Sequence, residues 1–359
     1  MLSPRDNLNR LFRRNGIADA AVDFSLCPIM VDKFERKFHH RDYAREFQFP
    51  IRNVYARSLL QPFTDWQNTY FKDVAFAHEV NFDILGVGHE KTPESMHMTR
   101  MHHPMRYFTS LAEAQNYPYP IFNPDALPDA TKQTQVIHDQ GLFAVGNMQC
   151  TIWERAWYMR GMENMMMGMF DEDPMTIYHL DKITEIAVAQ ASLYAQAGVD
   201  LIFLGDDIGM QHTIMMSLDM YRQYLKPRLA NVIKAARAIN PDVLIAYHSC
   251  GFVEPFIDDL IDAGIDILNP VQPECMDFAK IHAKYGNRLS FWGTLGTQTL
   301  FPFGTPEEVY AKTIDNLTIA GPRGGLLAAP THLVEPEVPL ENILAYVAAC
   351  HDFKPPSQE

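Results

Sequence analysis

An apolar, strand-like run followed by a helix-start signal and an amphipathic helix recurs along the second half of the chain, and no other feature restricts the fold as much. VDLIFLGDD (199–207), DVLIAYHSC (242–250), IDILNPVQ (265–272), RLSFWGT (288–294) and GLLAAPTH (325–332) are the strand-like runs. The helices between them open on recognisable signals. Ser217 precedes one, and Thr305 with Glu308 has capping-box spacing around Pro306 at the first helical position. Upstream, GLFAVGN (141–147) reads as another strand, and AAVDFSLC (20–27) as a first one. Strands alternating with helices at this rhythm require a parallel sheet. About seven such runs, one of them poorly resolved, approach the eight of a (β/α)8 TIM barrel. An open doubly wound sheet would carry a glycine fingerprint after its first strand, and none is present. Residues 29–140 are rich in His, Arg and aromatics, with prolines in NYPYPIFNPDALPD and capping-box spacing at Ser110 and Glu113. They read as an irregular N-terminal cap of loops and helices over one end of a single barrel domain spanning 1–359.

In an all-parallel barrel the chemistry sits at the C-terminal ends of the strands. Those ends read Gly205-Asp206-Asp207, His248-Ser249-Cys250, Asn269-Pro270-Val271-Gln272, Trp292-Gly293-Thr294 and Pro330-Thr331-His332. Polar and metal-binding residue types accumulate there. His248 and Cys250 are two apart, so both point to one face of their strand. Imidazole and thiolate together suit zinc, which in catalytic sites keeps three protein ligands and one open position. A packed histidine beside a buried thiol is the bland alternative. Asp206 and Asp207 follow an apolar strand, so at least one should enter the mouth and meet a metal, an arginine or a substrate cation. Capping a helix is the alternative for either. The pair could also serve as general acid and base.

Other clusters carry less. Met162, Met165, Met166 and Met169 share one helix face, which suits core packing better than a cofactor surface. His97, His102 and His103 match no metal spacing and suit a lid or surface loop. The formal net charge of −14 argues against binding nucleic acid or anionic membrane surfaces. No apolar run reaches the length of a membrane span and no secretory signal is visible, so a cytoplasmic location is expected.

From about Gly141 onward the chain resembles the uroporphyrinogen decarboxylase superfamily. The matching blocks are YMRGMENMMMGM (158–169), AGVDLIFLGDDIGMQ (197–211), YLKPRL (224–229), HSCGFVEPFIDDLIDAGIDILNPVQ (248–272), FWGTLGTQ (291–298), FGTPEEV (303–309) and GGLLAAPTHLVEPEVPLENILA (324–345). The resemblance implies a (β/α)8 barrel. It also implies one of two activities, porphyrinogen decarboxylation or zinc-dependent methyl transfer with a corrinoid. The decarboxylases carry an RQAGR motif near the N-terminus, where this chain has FERKFHHRDYAREF (34–47). The methyltransferase branch carries an HxC motif, matched here by His248 and Cys250. Its third zinc ligand is a Cys, and the matching position is His332, a departure that retains an acceptable ligand type. The resemblance thus implies zinc on His248, Cys250 and His332, with substrate oriented by Asp206 or Asp207, Gln211, Gln272 and Glu154. No corrinoid-binding DxHxxG domain is present, so the corrinoid (cobalamin) would arrive on a partner protein. The runner-up is a metal-free decarboxylase or lyase acting on a cyclic or tetrapyrrole carboxylate through Asp206 or Asp207. A non-catalytic corrinoid- or tetrapyrrole-binding protein is the third reading.

Overall fold

The computed structural model describes residues 2–92 and 98–355. Seven parallel strands form one curled sheet in chain order: β1 (Ile51–Asn53), β2 (Phe143–Asn147), β3 (Leu201–Gly205), β4 (Leu244–His248), β5 (Ile267–Asn269), β6 (Ser290–Trp292) and β7 (Leu326–Leu327). Helices connect successive strands, as the alternation requires, giving the TIM-barrel architecture. Strands β2 to β7 fall inside the predicted runs. The N-caps Ser217, Ser110 and Thr305 all form, the last two as complete capping boxes.

The first strand is a correction. AAVDFSLC is extended but forms no ladder beyond one parallel bridge, Leu26 to Val334. The segment bridges the open side of the sheet instead. The Phe24 ring packs edge-on against Phe49, just ahead of β1, at 4.7 Å and also meets Tyr346 of the last helix. The strand that pairs with β2 is Ile51–Asn53, inside the region expected to be cap alone. That region otherwise carries short helices, a two-stranded pairing of Leu59–Leu60 with Ile121–Phe122, and an antiparallel meander of Val80–Phe82, Gly88–Glu90 and Arg100–His102.

Side chains alternate along each strand, and the inward set forms its own core. Phe143 and Val145, Leu201 and Phe203, Leu244 and Ala246, Ile267 and Trp292 fill the barrel. Leu8, Leu11 and Phe12 of the N-terminal helix α1 (Pro4–Phe12) join this set and plug the N-terminal end, with Phe12 against Phe143 and Trp292. The plug leaves one open end, where the next inward positions are Asn53, Asn147, His248 and Asn269. Met165 and Met169 are buried, with Met162 and Met166 packed on the same core, which settles that stripe as core packing. His97 lies outside the described residues. Among the described residues no helix is long and apolar enough to cross a membrane.

Candidate metal centre at the barrel mouth

Inward alternation from Leu244 and Ala246 carries His248 into the mouth, and Cys250 follows on the same face. On β3 the inward set Leu201 and Phe203 continues through Gly205 to Asp207. These three side chains converge: one ligand atom each of Asp207, His248 and Cys250 lies within 4.8 Å of the other two. Cys250 Sγ is 3.5 Å from His248 Nε2, and Asp207 Oδ1 is 3.6 Å from the same nitrogen. The Cys250 backbone N–H donates to Asp207 Oδ1 at 2.7 Å, which ties the two loops together.

The imidazole is oriented by a neighbour to which sequence reasoning gave no role. Asn269 Nδ2 donates to the Trp292 carbonyl at 2.7 Å, so its Oδ1 must be the atom that faces His248 Nδ1, at 2.6 Å. An amide oxygen only accepts, hence Nδ1 carries the proton and Nε2 presents its lone pair to Cys250 and Asp207. Burial and the nearby His332 hold the His248 pKa below its usual value, against the Asp207 charge and the Asn269 hydrogen bond. The ring is therefore neutral near pH 7 with the lone pair aimed into the cluster. One oxygen, one nitrogen and one sulfur donor, with a fixed tautomer, make a donor set suited to zinc. A position after Ile267 on an inward face was the signal for Asn269. Asn269→Leu is expected to weaken binding of added Zn2+ roughly 10–100-fold, the usual cost of losing an outer-shell partner. Competition with a chromophoric chelator measures this, and an unchanged affinity would deny Asn269 that role.

Asp206 faces the other way. Its carboxylate accepts from the backbone N–H groups of Ile152 (3.0 Å) and Glu154 (2.9 Å), capping helix α2 (Trp153–Arg160) from a neighbouring strand. Burial and the Glu154 charge push it up to about 7 against those N–H donors. Glu154 accepts from the Tyr158 hydroxyl at 2.7 Å and from the Asp207 backbone N–H at 3.2 Å, and burial, then the Asp207 charge, raises its pKa. Gln272 is buried and accepts from the Gly251 N–H at 2.8 Å, which fixes the turn after Cys250. Gln211 is exposed and pairs with Gln298. His332 is an exposed residue lining the mouth cavity with His248, outside the three-residue cluster. The cavity holds about 300 Å3 and also exposes Asp23, Asn53, Asn147 and Trp292. Asp23 was another omission, signalled only by a charge within the apolar run AAVDF.

Comparison with known proteins agrees with this architecture. The profile of the family described as Uroporphyrinogen decarboxylase (URO-D) matches residues 96–353. A methylated-thiol–coenzyme M methyltransferase of Methanosarcina mazei is 30% identical over 205 residues, covering 55% of this chain and 50% of that protein. The methylcobamide:CoM methyltransferase MtaA of Methanosarcina barkeri is 32% identical over 176 residues, 48% of each. A uroporphyrinogen decarboxylase of Coxiella burnetii is 23% identical over 189 residues, 51% of this chain and 49% of that one. The chain spans about half the length of these curated relatives. The solved structure of a methyltransferase from Methanosarcina mazei superposes with a TM-score of 0.67 at 19% identity, covering 98% of both chains, and shares the fold. With the profile matched over most of its length, the chain belongs to the uroporphyrinogen decarboxylase (URO-D) family.

Proposed function

We propose that the protein is a zinc-dependent methyltransferase that moves a methyl group between a small molecule and a corrinoid carried by a partner protein. The observation that supports this best is the convergence of Asp207, His248 and Cys250 with the His248 lone pair fixed by Asn269. The relatives named as methylated-thiol and methylcobamide methyltransferases point the same way. His248, Cys250 and Asp207 would hold the zinc. The geometry favours Asp207 over His332 as third donor, and His332, on the cavity rim, is assigned to the substrate side. Bound zinc would lower the pKa of a substrate thiol or hydroxyl and so raise its nucleophilicity.

The other polar groups have distinct tasks. Asp206 fixes helix α2, and through it Glu154, whose carboxylate holds the Asp207 backbone. Gln272 holds the turn that presents Cys250. Gln211 and Gln298 sit at the exposed rim, where a corrinoid protein would dock. The lyase alternative is less well supported, because among the described residues no lysine or arginine lines the cavity to grip the carboxylates of its substrate.

Protein purified without added metal should contain about one zinc per chain. It should also demethylate methylcobalamin in the presence of a thiol, followed by the change in the corrinoid visible spectrum. Full activity in a protein stripped of metal would overturn the assignment.

A further inference from the structure

The mouth cavity, which His248 of the metal-binding cluster lines, also holds an acidic side chain outside that cluster. Asp23 is its acidic group, and the indole Nε1 of Trp292 donates to Asp23 Oδ2 at 3.2 Å. Tyr346 pins the backbone at the same residue: its hydroxyl accepts from the Asp23 N–H at 3.1 Å and donates to the Ala328 carbonyl at 2.7 Å. The carboxylate is thus held in place. Trp292 in turn packs against Phe203, ring centroids 5.0 Å apart, and both rings line the cavity.

The charge of the lining is one-sided. Among the described residues it contains no lysine or arginine, and Asp23 is its acidic side chain. Arg52 is close enough for Asp23 to feel its charge, but its Nη1 donates to the Phe49 and Ile51 carbonyls. Burial pushes the Asp23 carboxyl up to about 7, which marks a carboxylate short of cationic partners. A zinc ion in the cluster would balance the charges of Asp207 and Cys250. Asp23 would then be the uncompensated charge of the cavity, whose lining also includes the Phe203 and Trp292 rings. The remaining lining offers amide groups from Asn53, Asn147 and Gln149 for hydrogen bonds.

We infer that the substrate is a small aminothiol, or its S-methyl form, whose sulfur meets the Asp207–His248–Cys250 cluster while its ammonium group binds Asp23 in the cavity that Phe203 and Trp292 also line. The sulfur end rests on the function proposed above; the ammonium end rests on the cavity alone. An anionic tail such as a sulfonate would face Asp23, with no lysine or arginine among the described lining residues to receive it. In the direction of thiol methylation the S–CH3 bond forms and the Co–CH3 bond breaks. The electron pair of that bond stays on cobalt as Co(I), and the thiol proton passes to solvent.

Two measurements test this. Calorimetric titration of the purified protein with propylammonium, 1-propanol and propanesulfonate reads the tail site without chemistry. Propylammonium should bind at least about tenfold more tightly than the other two. Asp23→Asn should remove most of that advantage and leave 1-propanol unchanged. Equal or tighter binding of the alcohol or sulfonate by the wild-type protein would overturn the inference, even if the variant fails to fold. The second measurement compares 2-aminoethanethiol, 2-mercaptoethanol and 2-mercaptoethanesulfonate as acceptors from methylcobalamin. The aminothiol should have the lowest KM with a similar kcat. A preference for the sulfonate would sink the inference and keep the methyltransferase. Tight ammonium binding with no zinc and no methylation of any thiol would keep the subsite and sink the methyltransferase.

Discussion

His248→Ala and Cys250→Ser should each remove the bound zinc and lower methyl transfer by about 10^2–10^3-fold, corresponding to the several kcal/mol a metal supplies in stabilising developing charge. The size of the effect follows from the donor count. Three donor side chains converge, and losing one would leave two, too few for a catalytic zinc site. The pH behaviour carries independent information. Burial, then the Asp207 and Glu154 charges, holds the Cys250 thiol well above its usual pKa. Without a cation the sulfur remains protonated at neutral pH, and zinc uptake must expel that proton. His248 is already neutral and contributes no such term. Zinc affinity should therefore rise with pH across the neutral range in the wild type, with about one proton released per ion. In Cys250→Ser both the affinity and the proton release should drop, while the melting temperature stays near the wild-type value. Normal zinc content in either variant would exclude these residues as ligands.

The sequence made His248 and Cys250 visible because the spacing of two requires a shared face, whatever the register. It could not separate Asp206 from Asp207. The run LIFLG is apolar on both faces, as a barrel strand covered by helices must be, so alternation marks no inward set. Only the pairing of Gly205 with His248 reveals that the odd positions 201 to 207 face inward. Strand β1 was hidden for a different reason. Three residues between Pro50 and Val54 carry no periodicity, and their position is set by pairing with β2. AAVDFSLC looked more strand-like, yet its aromatic side chain serves the gap between β1 and the last helix, and Asp23 turns to Trp292. The Asn269 contact depends on two strands meeting in register and is invisible to any local pattern. His332 was placed by resemblance, which identifies a strand end but not a distance.

Gly205→Ala should be among the most damaging single-methyl changes in the protein, destabilising it by about 2–4 kcal/mol and abolishing the metal site. Gly205 ends β3 directly beside His248, with φ +155°. A Cβ there would stand 2.6 Å from His248 Cβ, 2.6 Å from its carbonyl oxygen and 2.7 Å from its backbone nitrogen. Two of the three obstacles are backbone, so no rotamer change relieves them and β4 must shift. That shift would move His248 away from Asn269 Oδ1, where a small displacement already breaks the contact that fixes the tautomer. Gly198 supplies the control. It has φ +77° at a helix C-terminus, and a Cβ there would meet nothing within 4 Å. Alanine at Gly198 should cost only the left-handed backbone penalty, about 1 kcal/mol, with zinc binding intact. Urea unfolding and zinc content measured on both variants separate steric displacement of the site from general glycine loss. If the Gly205 variant were within about 0.5 kcal/mol of wild type and held zinc normally, the close approach of β3 to β4 would not be what positions His248.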